Sequence, residues 1–182
     1  MIKKTVFSGF GGQGVLMMGY VLSVSAMNDN KHVTYLPSYG AEVRGGTAAC
    51  TVVVSDEEIF SPVASTFDYA VIMNKPSLVK YEGTVTPGGV IVLNSSLVEE
   101  NPFREDVHVV RVPANDIAKD LGSDRTINMI MLGALVGKTK IATQESIMNG
   151  LAQIVKAKNP AMMELNQKGM DKGVEYALGT ES

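Results

Sequence analysis

The chain has 182 residues, a net charge of −3 and a single cysteine. That length suits one folded domain over residues 1–182 with a sizeable core, and 45% hydrophobic against 19% charged residues excludes a disordered polypeptide. The 16 basic and 19 acidic residues include only one adjacent basic pair, Lys3-Lys4, which leaves no basic face for nucleic acid.

No signal peptide is read ahead of the first predicted strand, Thr5-Val6-Phe7. Glycines from Gly9 to Gly14 break that strand, and an apolar-rich segment from Val15 to Met27 predicts a helix packed on a sheet, closed by Asp29-Asn30. Val33 to Leu36 reads as a second strand ended by Pro37, and Ser38 to Gly46 as an ordered loop. Thr47 to Ser55 is a third strand, whose near-continuous apolar run predicts burial on both faces. Cys50 lies inside that run and reads as a small buried residue. A lone thiol builds neither a disulfide framework nor an iron–sulfur site, which typically takes four cysteines.

Asp68 to Asn74 predicts a further strand, Pro76 the first turn of a helix, Pro87-Gly88-Gly89 a turn into the strand Val90 to Leu93, and Val107 to Val112 another strand. Helices follow. Asn115 to Leu121 ends at Gly122, and Asp124 is placed as the cap of a mostly apolar, central helix through Val136. Thr143 caps the next helix, with Lys156 and Lys158 toward its end. Asn159-Pro160 opens the last, with Met163, Met170, Val174, Ala177 and Leu178 on one side. Met129 to Val136 is too short to span a bilayer, so a cytoplasmic protein without membrane contact is expected. Strands alternating early with helices predict an α/β fold: a three-layer α/β/α sandwich on a mostly parallel sheet, with a Rossmann-like opening βα unit.

Gly9-Phe10-Gly11-Gly12-Gln13-Gly14 fits G-x-G-x-x-G between a strand and a helix, the context in which free amides at a helix N-terminus receive an anion. A dinucleotide site adds an acidic residue after the second strand to hold the ribose, whereas this strand ends Tyr35-Leu36-Pro37-Ser38, which argues against ordinary NAD binding. Two readings of the glycines stay open: ligand contact, or a tight strand–helix crossing that accepts a partner's backbone. Ser38-Tyr39-Gly40-Ala41-Glu42-Val43-Arg44-Gly45-Gly46 follows a strand's C-terminal end, where open α/β sheets place ligands. There Arg44 can clamp a phosphate or carboxylate, or pair with Glu42 to order the loop.

These two loops, with the strand Thr51 to Ser55, the Pro87-Gly88-Gly89 turn and the run Arg125-Thr126, Asn128-Met129, Leu132-Gly133-Ala134, resemble the gamma subunit of 2-oxoacid:ferredoxin oxidoreductases, most of all the 2-oxoglutarate type, with the branched-chain and pyruvate types open. The resemblance spans nearly the whole chain. It implies a subunit of an enzyme that decarboxylates a 2-oxoacid, reduces ferredoxin and forms an acyl-coenzyme A. Thiamine diphosphate, magnesium and iron–sulfur clusters are then expected on alpha, beta and, as a further candidate, delta partner chains. No catalytic residue and no metal ligand are assigned to this chain. Gly9, Gly11, Gly12, Gly14, Ser38, Tyr39, Arg44 and Gly45 are the candidate contacts to coenzyme A or to a partner's site. A stand-alone nucleotide- or flavin-binding module and a purely structural subunit are the rival readings.

The remaining polar candidates have bland explanations. His32 and His108 sit at strand starts with no companion ligand. Asn94-Ser95-Ser96 either lines the same crevice as the glycine loop or caps a helix. The 11 methionines are mostly core filler, with Met162, Met163 and Met170 open to a partner.

Overall fold

The computed structural model describes residues 1–40, 46–156 and 159–179. In chain order the elements are β1 (Ile2–Phe10), α1 (Val15–Asn28), β2 (His32–Tyr39), β3 (Thr47–Ser55), β4 (Phe67–Ile72), α2 (Lys75–Tyr81), β5 (Val85–Asn94), β6 (His108–Val112), α3 (Ala114–Asp120), α4 (Ile127–Thr139), α5 (Gln144–Ile154) and α6 (Pro160–Gly179). The six strands form one sheet in the order β2-β3-β1-β4-β5-β6. β1, β4, β5 and β6 pair in parallel, and β3 runs antiparallel to both of its neighbours. Five strands therefore share one direction, and the predicted mostly parallel sheet is present with β3 reversed inside it.

Helices lie on both faces. On one, α1, α3, α4, α5 and α6 pack over Phe7, Cys50, Val52, Val71, Val92 and Val110. On the other, Leu78 of α2 joins Val6, Ala70, Ile72, Ile91 and Leu93. α4 is the central helix predicted from its apolar composition: Met129 to Gly137 is buried without a break. α5 packs on α1, and α6 on α4.

Several local signals act as read. Asn74 Oδ1 accepts from the Ser77 amide and starts α2, with Pro76 in its first turn, and Thr143 Oγ1 accepts from the Ser146 amide to start α5. Gly122 adopts φ 82° directly after α3, so that its amide and that of Ser123 reach back to Lys119 and Ala118.

Five expectations are corrected. β1 extends beyond Thr5-Val6-Phe7 to take in Gly9 and Phe10, which pair with Ala48 and Thr47. Pro37 does not end β2; that strand lies at the sheet edge, where a residue without an amide hydrogen is tolerated. Asp124 does not cap α4: it lies in a short 3-10 turn that Ser123 caps, its Oγ accepting from the Arg125 amide, and α4 follows from Thr126 without a side-chain cap. On α6, Leu178 is exposed, and Gly169 and Gly173 join Met170, Val174 and Ala177 on the buried side. Met170 is fully buried and is not available to a partner.

Candidate functional site: a crevice at the strand ends

From β1 the chain crosses to β2 at one edge of the sheet and later returns to β4 on the other side of β1. Open α/β sheets bind ligands at such a reversal, beside the C-terminal ends of the strands. The glycine loop after β1, Met73-Asn74 after β4, Asn94 at the end of β5 and Asn115 after β6 converge there. The turn before α4 completes the wall. A cavity of about 340 Å3 is lined by Gly12, Gln13, Gly14, Met73, Leu97, Asn115, Asp124, Arg125, Ile127 and Asn128.

The glycines of the loop have different roles. At Gly9 a Cβ would meet Met73 Cβ at 2.7 Å and Val15 Cγ2 at 2.9 Å, so this position is glycine to let β1, β4 and α1 meet closely. Gly11 donates its amide to the Gly46 carbonyl at 2.9 Å, and Gln13 to Phe10 at 3.2 Å. Gly12 and Gly14 have positive φ, 92° and 74°, where a side chain would be strained. Gly14 caps α1 without a side chain. The amides of Gly14, Val15 and Leu16 thus have no acceptor among the described residues. Within the glycine loop the Gly11 amide is thus engaged, and the unengaged amides lie at Gly14 and in the first turn of α1.

Around these donors the polar side chains are held in place. Asn94 is fully buried; its Nδ2 donates to Asn115 Oδ1 at 2.8 Å and its Oδ1 accepts from the Ser96 amide. No helix follows Asn94, so it orients Asn115 and leaves the Asn115 amide hydrogens for the crevice. Asn128 stands against Gly14, its Nδ2 3.2 Å from where a Cβ would be. The Arg125 guanidinium is exposed and makes no ion pair among the described residues. Buried Asn74 keeps an unpaired Nδ2 next to Met73 of the cavity wall.

Ser38 and Tyr39 do not join this cavity. They line a smaller one, about 120 Å3, on the α2 side with Ser8, Thr47, Ser77 and Tyr81. There Ser8 Oγ donates to Ser77 Oγ at 2.8 Å. Arg44 and Gly45, with Ala41, Glu42 and Val43, lie outside the described residues. A larger hollow between α3 and α6, about 770 Å3 and lined by Ile117, Leu121 and Tyr176 among others, contains none of the sequence-predicted residues. Sequence reasoning missed Asn115, Arg125 and Asn128 as site residues. The Arg125–Asn128 run contributed to the family likeness, but its reading as a helix start absorbed it.

A family model described as pyruvate ferredoxin/flavodoxin oxidoreductase matches residues 4–176. This chain belongs to that family. It is 34% identical to the 2-oxoglutarate synthase subunit KorC of Methanocaldococcus jannaschii, over 97% of this chain and 95% of the relative. Over 96% of its length it is 34% identical to the ketoisovalerate oxidoreductase subunit VorA of Methanothermobacter marburgensis, yet it spans only 36% of that longer relative. Among solved structures it is similar to the gamma subunit of a keto/oxoacid ferredoxin oxidoreductase from Geobacter sulfurreducens, with TM-score 0.81 and 28% identity over 97% of this chain and 99% of that one.

In this member of the pyruvate ferredoxin/flavodoxin oxidoreductase family, no three of His, Cys, Asp and Glu converge as a metal site needs, among the described residues. Cys50 is buried against the Val15 carbonyl, 3.6 Å away, and burial pushes its thiol up to about 12. These residues fit neither a cluster nor a catalytic thiolate. Native protein at pH 8 is expected to leave 5,5′-dithiobis(2-nitrobenzoate) unreacted over minutes, and one equivalent to react once guanidinium unfolds it. Rapid reaction in the native state would show the strand β3 environment to be open.

Proposed function

We propose that this chain is the gamma-type subunit of a cytoplasmic 2-oxoacid:ferredoxin oxidoreductase, acting on 2-oxoglutarate. The complex would convert the 2-oxoacid and coenzyme A to acyl-coenzyme A and CO2, with two electrons passed to ferredoxin. What carries the reading is the near end-to-end likeness to a separate 2-oxoglutarate synthase subunit, at 95% of that relative's length. The same unit also resembles 36% of a subunit named for a different acid, ketoisovalerate, which supports a substrate choice made on other chains. Thiamine diphosphate, magnesium and clusters are assigned to alpha, beta and delta-type partners, since the described residues of this chain offer no ligand set for them.

This chain's own part is to receive coenzyme A. The amides of Gly14, Val15 and Leu16 meet a phosphate at the positive end of α1, with Gly12 allowing close approach and Arg125 supplying a charge-assisted donor. Gly9 and Gly11 shape the loop from behind. Ser38 and Tyr39, which line the smaller cavity on the α2 side, are proposed, with Arg44 and Gly45, as further contacts to coenzyme A or to a partner's site. The test is to coexpress the chain with the other subunits of its complex and follow coenzyme-A-dependent viologen reduction with 2-oxoglutarate, pyruvate and ketoisovalerate. Turnover with 2-oxoglutarate preferred is expected. An assembled complex preferring another 2-oxoacid would overturn the substrate, and a chain that joins no complex would overturn the subunit reading.

A further inference from the structure

The crevice wall carries three carboxamides, Gln13, Asn115 and Asn128, all half-buried. A carboxamide donates on one side and accepts on the other, and its neighbours decide which side it shows to a ligand. Here backbone amides decide, and an amide hydrogen can only donate. The Phe10 amide donates to Gln13 Oε1 at 2.6 Å, and the Met129 amide to Asn128 Oδ1 at 2.9 Å. Asn115 is set at one remove. The Ser96 amide takes Asn94 Oδ1, which leaves Asn94 Nδ2 to donate to Asn115 Oδ1 at 2.8 Å. In all three the oxygen is engaged within the protein. Asn115 Nδ2 and Asn128 Nδ2 have no acceptor among the described residues, and Gln13 Nε2 has only the Met73 carbonyl at 3.5 Å. Asp124 is the single acid among the described lining residues, and it is exposed.

Local helix chemistry does not account for this choice of residues. Asn115 and Asn128 stand in the first turns of α3 and α4. A carboxylate in either place would keep the bond made by the side-chain oxygen and would also suit the positive end of the helix. Asp116, beside Asn115, shows that an acid is accommodated in that turn. A neutral amide at both positions therefore has its use in the crevice, where its hydrogens meet a group that a carboxylate would repel. We infer that the crevice is lined to receive hydrogen-bond acceptors: Asn115 and Asn128 give their Nδ2 hydrogens to phosphoryl oxygens of the bound coenzyme, and Asn94 is a positioning residue that holds Asn115 in that orientation. The inference rests on the coenzyme A reading above and adds to it the side chains that choose the ligand. A hydroxyl or amine in the same place would meet donors on both sides and be rejected, because a buried donor facing a donor leaves both unpaired.

The experiment titrates coenzyme A calorimetrically into the assembled complex, without 2-oxoacid. The variants are Asn115→Ala, Asn115→Asp, Asn128→Asp, Arg125→Ala, Asn94→Ser and the double variant Asn94→Ser/Asn115→Ala. Loss of one donor to a charged group in Asn115→Ala is expected to raise Kd about tenfold. Each aspartate variant should raise it roughly a hundredfold, since an oxygen then opposes a phosphoryl oxygen. Melting of the two aspartate variants should be no lower than wild type, which separates lost binding from lost fold. Asn94→Ser can still accept from the Ser96 amide but has no Nδ2 to reach Asn115. It should weaken binding about three- to tenfold in the wild-type background and less than about twofold beside Asn115→Ala, a non-additivity that general loosening of the chain does not produce. Asn115→Asp binding as well as or better than Asn115→Ala would overturn the inference, and Arg125→Ala still weakening binding would then leave the coenzyme A reading standing. Equal losses for Asn94→Ser in both backgrounds would overturn the positioning role. A wild-type complex that takes up no coenzyme A, or crevice variants that all bind it like wild type, Arg125→Ala included, would overturn both.

Discussion

Gly173→Ala is expected to lower the melting temperature of the chain by about 4–8 °C, even though alanine is the better helix former. In an exposed helix the exchange would stabilise by roughly 0.5–1 kcal/mol. At Gly173 the new Cβ would collide with the Ile130 carbonyl oxygen and come within 2.8 Å of the Ala134 amide nitrogen. Both atoms are backbone of α4, which cannot rotate aside as a side chain can. Gly133 meets Met170 backbone from the other side, so α4 and α6 cross at contact distance and a Cβ must push them apart. Overpacking of this kind costs about 3 kcal/mol, a net loss of about 2 kcal/mol after the helix gain. For a chain of this size each kcal/mol moves the midpoint by about 2–4 °C. Gly169→Ala, with nearest neighbours at 3.2 and 3.4 Å, should lose less. Thermal denaturation followed by circular dichroism gives the order; a Gly173→Ala midpoint at or above wild type would mean that the helices are not this close.

In the assembled complex, Arg125→Ala is expected to raise KM for coenzyme A about ten- to a hundredfold with kcat within about twofold. The range is the loss of about 1.5–3 kcal/mol from one charge-assisted hydrogen bond, at roughly 1.4 kcal/mol per factor of ten. Arg125 lines the cavity together with Gly14, the residue that caps α1, and makes no ion pair among the described residues. Arg125→Lys should recover part of the loss, since a point charge remains but not the planar fork. Steady-state kinetics with coenzyme A varied at saturating 2-oxoacid reads it. An unchanged KM for Arg125→Ala, beside a raised KM for Arg44→Ala, would move the phosphate to the Ser38 to Gly46 loop.

The elements that announced themselves did so through local chemistry. Asn74, Thr143 and Asn159 act as caps because a side-chain oxygen satisfies an amide a few residues on, whatever lies beyond. The opening strand–glycine–helix unit is equally local. β3 was different. Its run of alanine, valine and threonine records burial on both faces, and burial is the same for either strand direction, so its reversal was hidden. The α6 seam was hidden because apolarity was the signal sought, whereas Gly169 and Gly173 are there for closeness, which hydropathy does not measure.

By itself, then, the sequence determined the α/β class, the order of the elements, the buried position of Cys50 and the family likeness, all of which rest on local patterns and residue types. The tertiary structure decided what the crevice is made of. Gly14 and Asn115 meet because parallel strands deliver their C-terminal ends to one edge, where Arg125 and Asn128 at the start of α4 close the cavity and Asn94 holds Asn115 from behind. It also decided which glycines are free to serve a ligand: Gly9 is fixed by packing and Gly11 by its bond to Gly46, contacts made between segments distant in the chain.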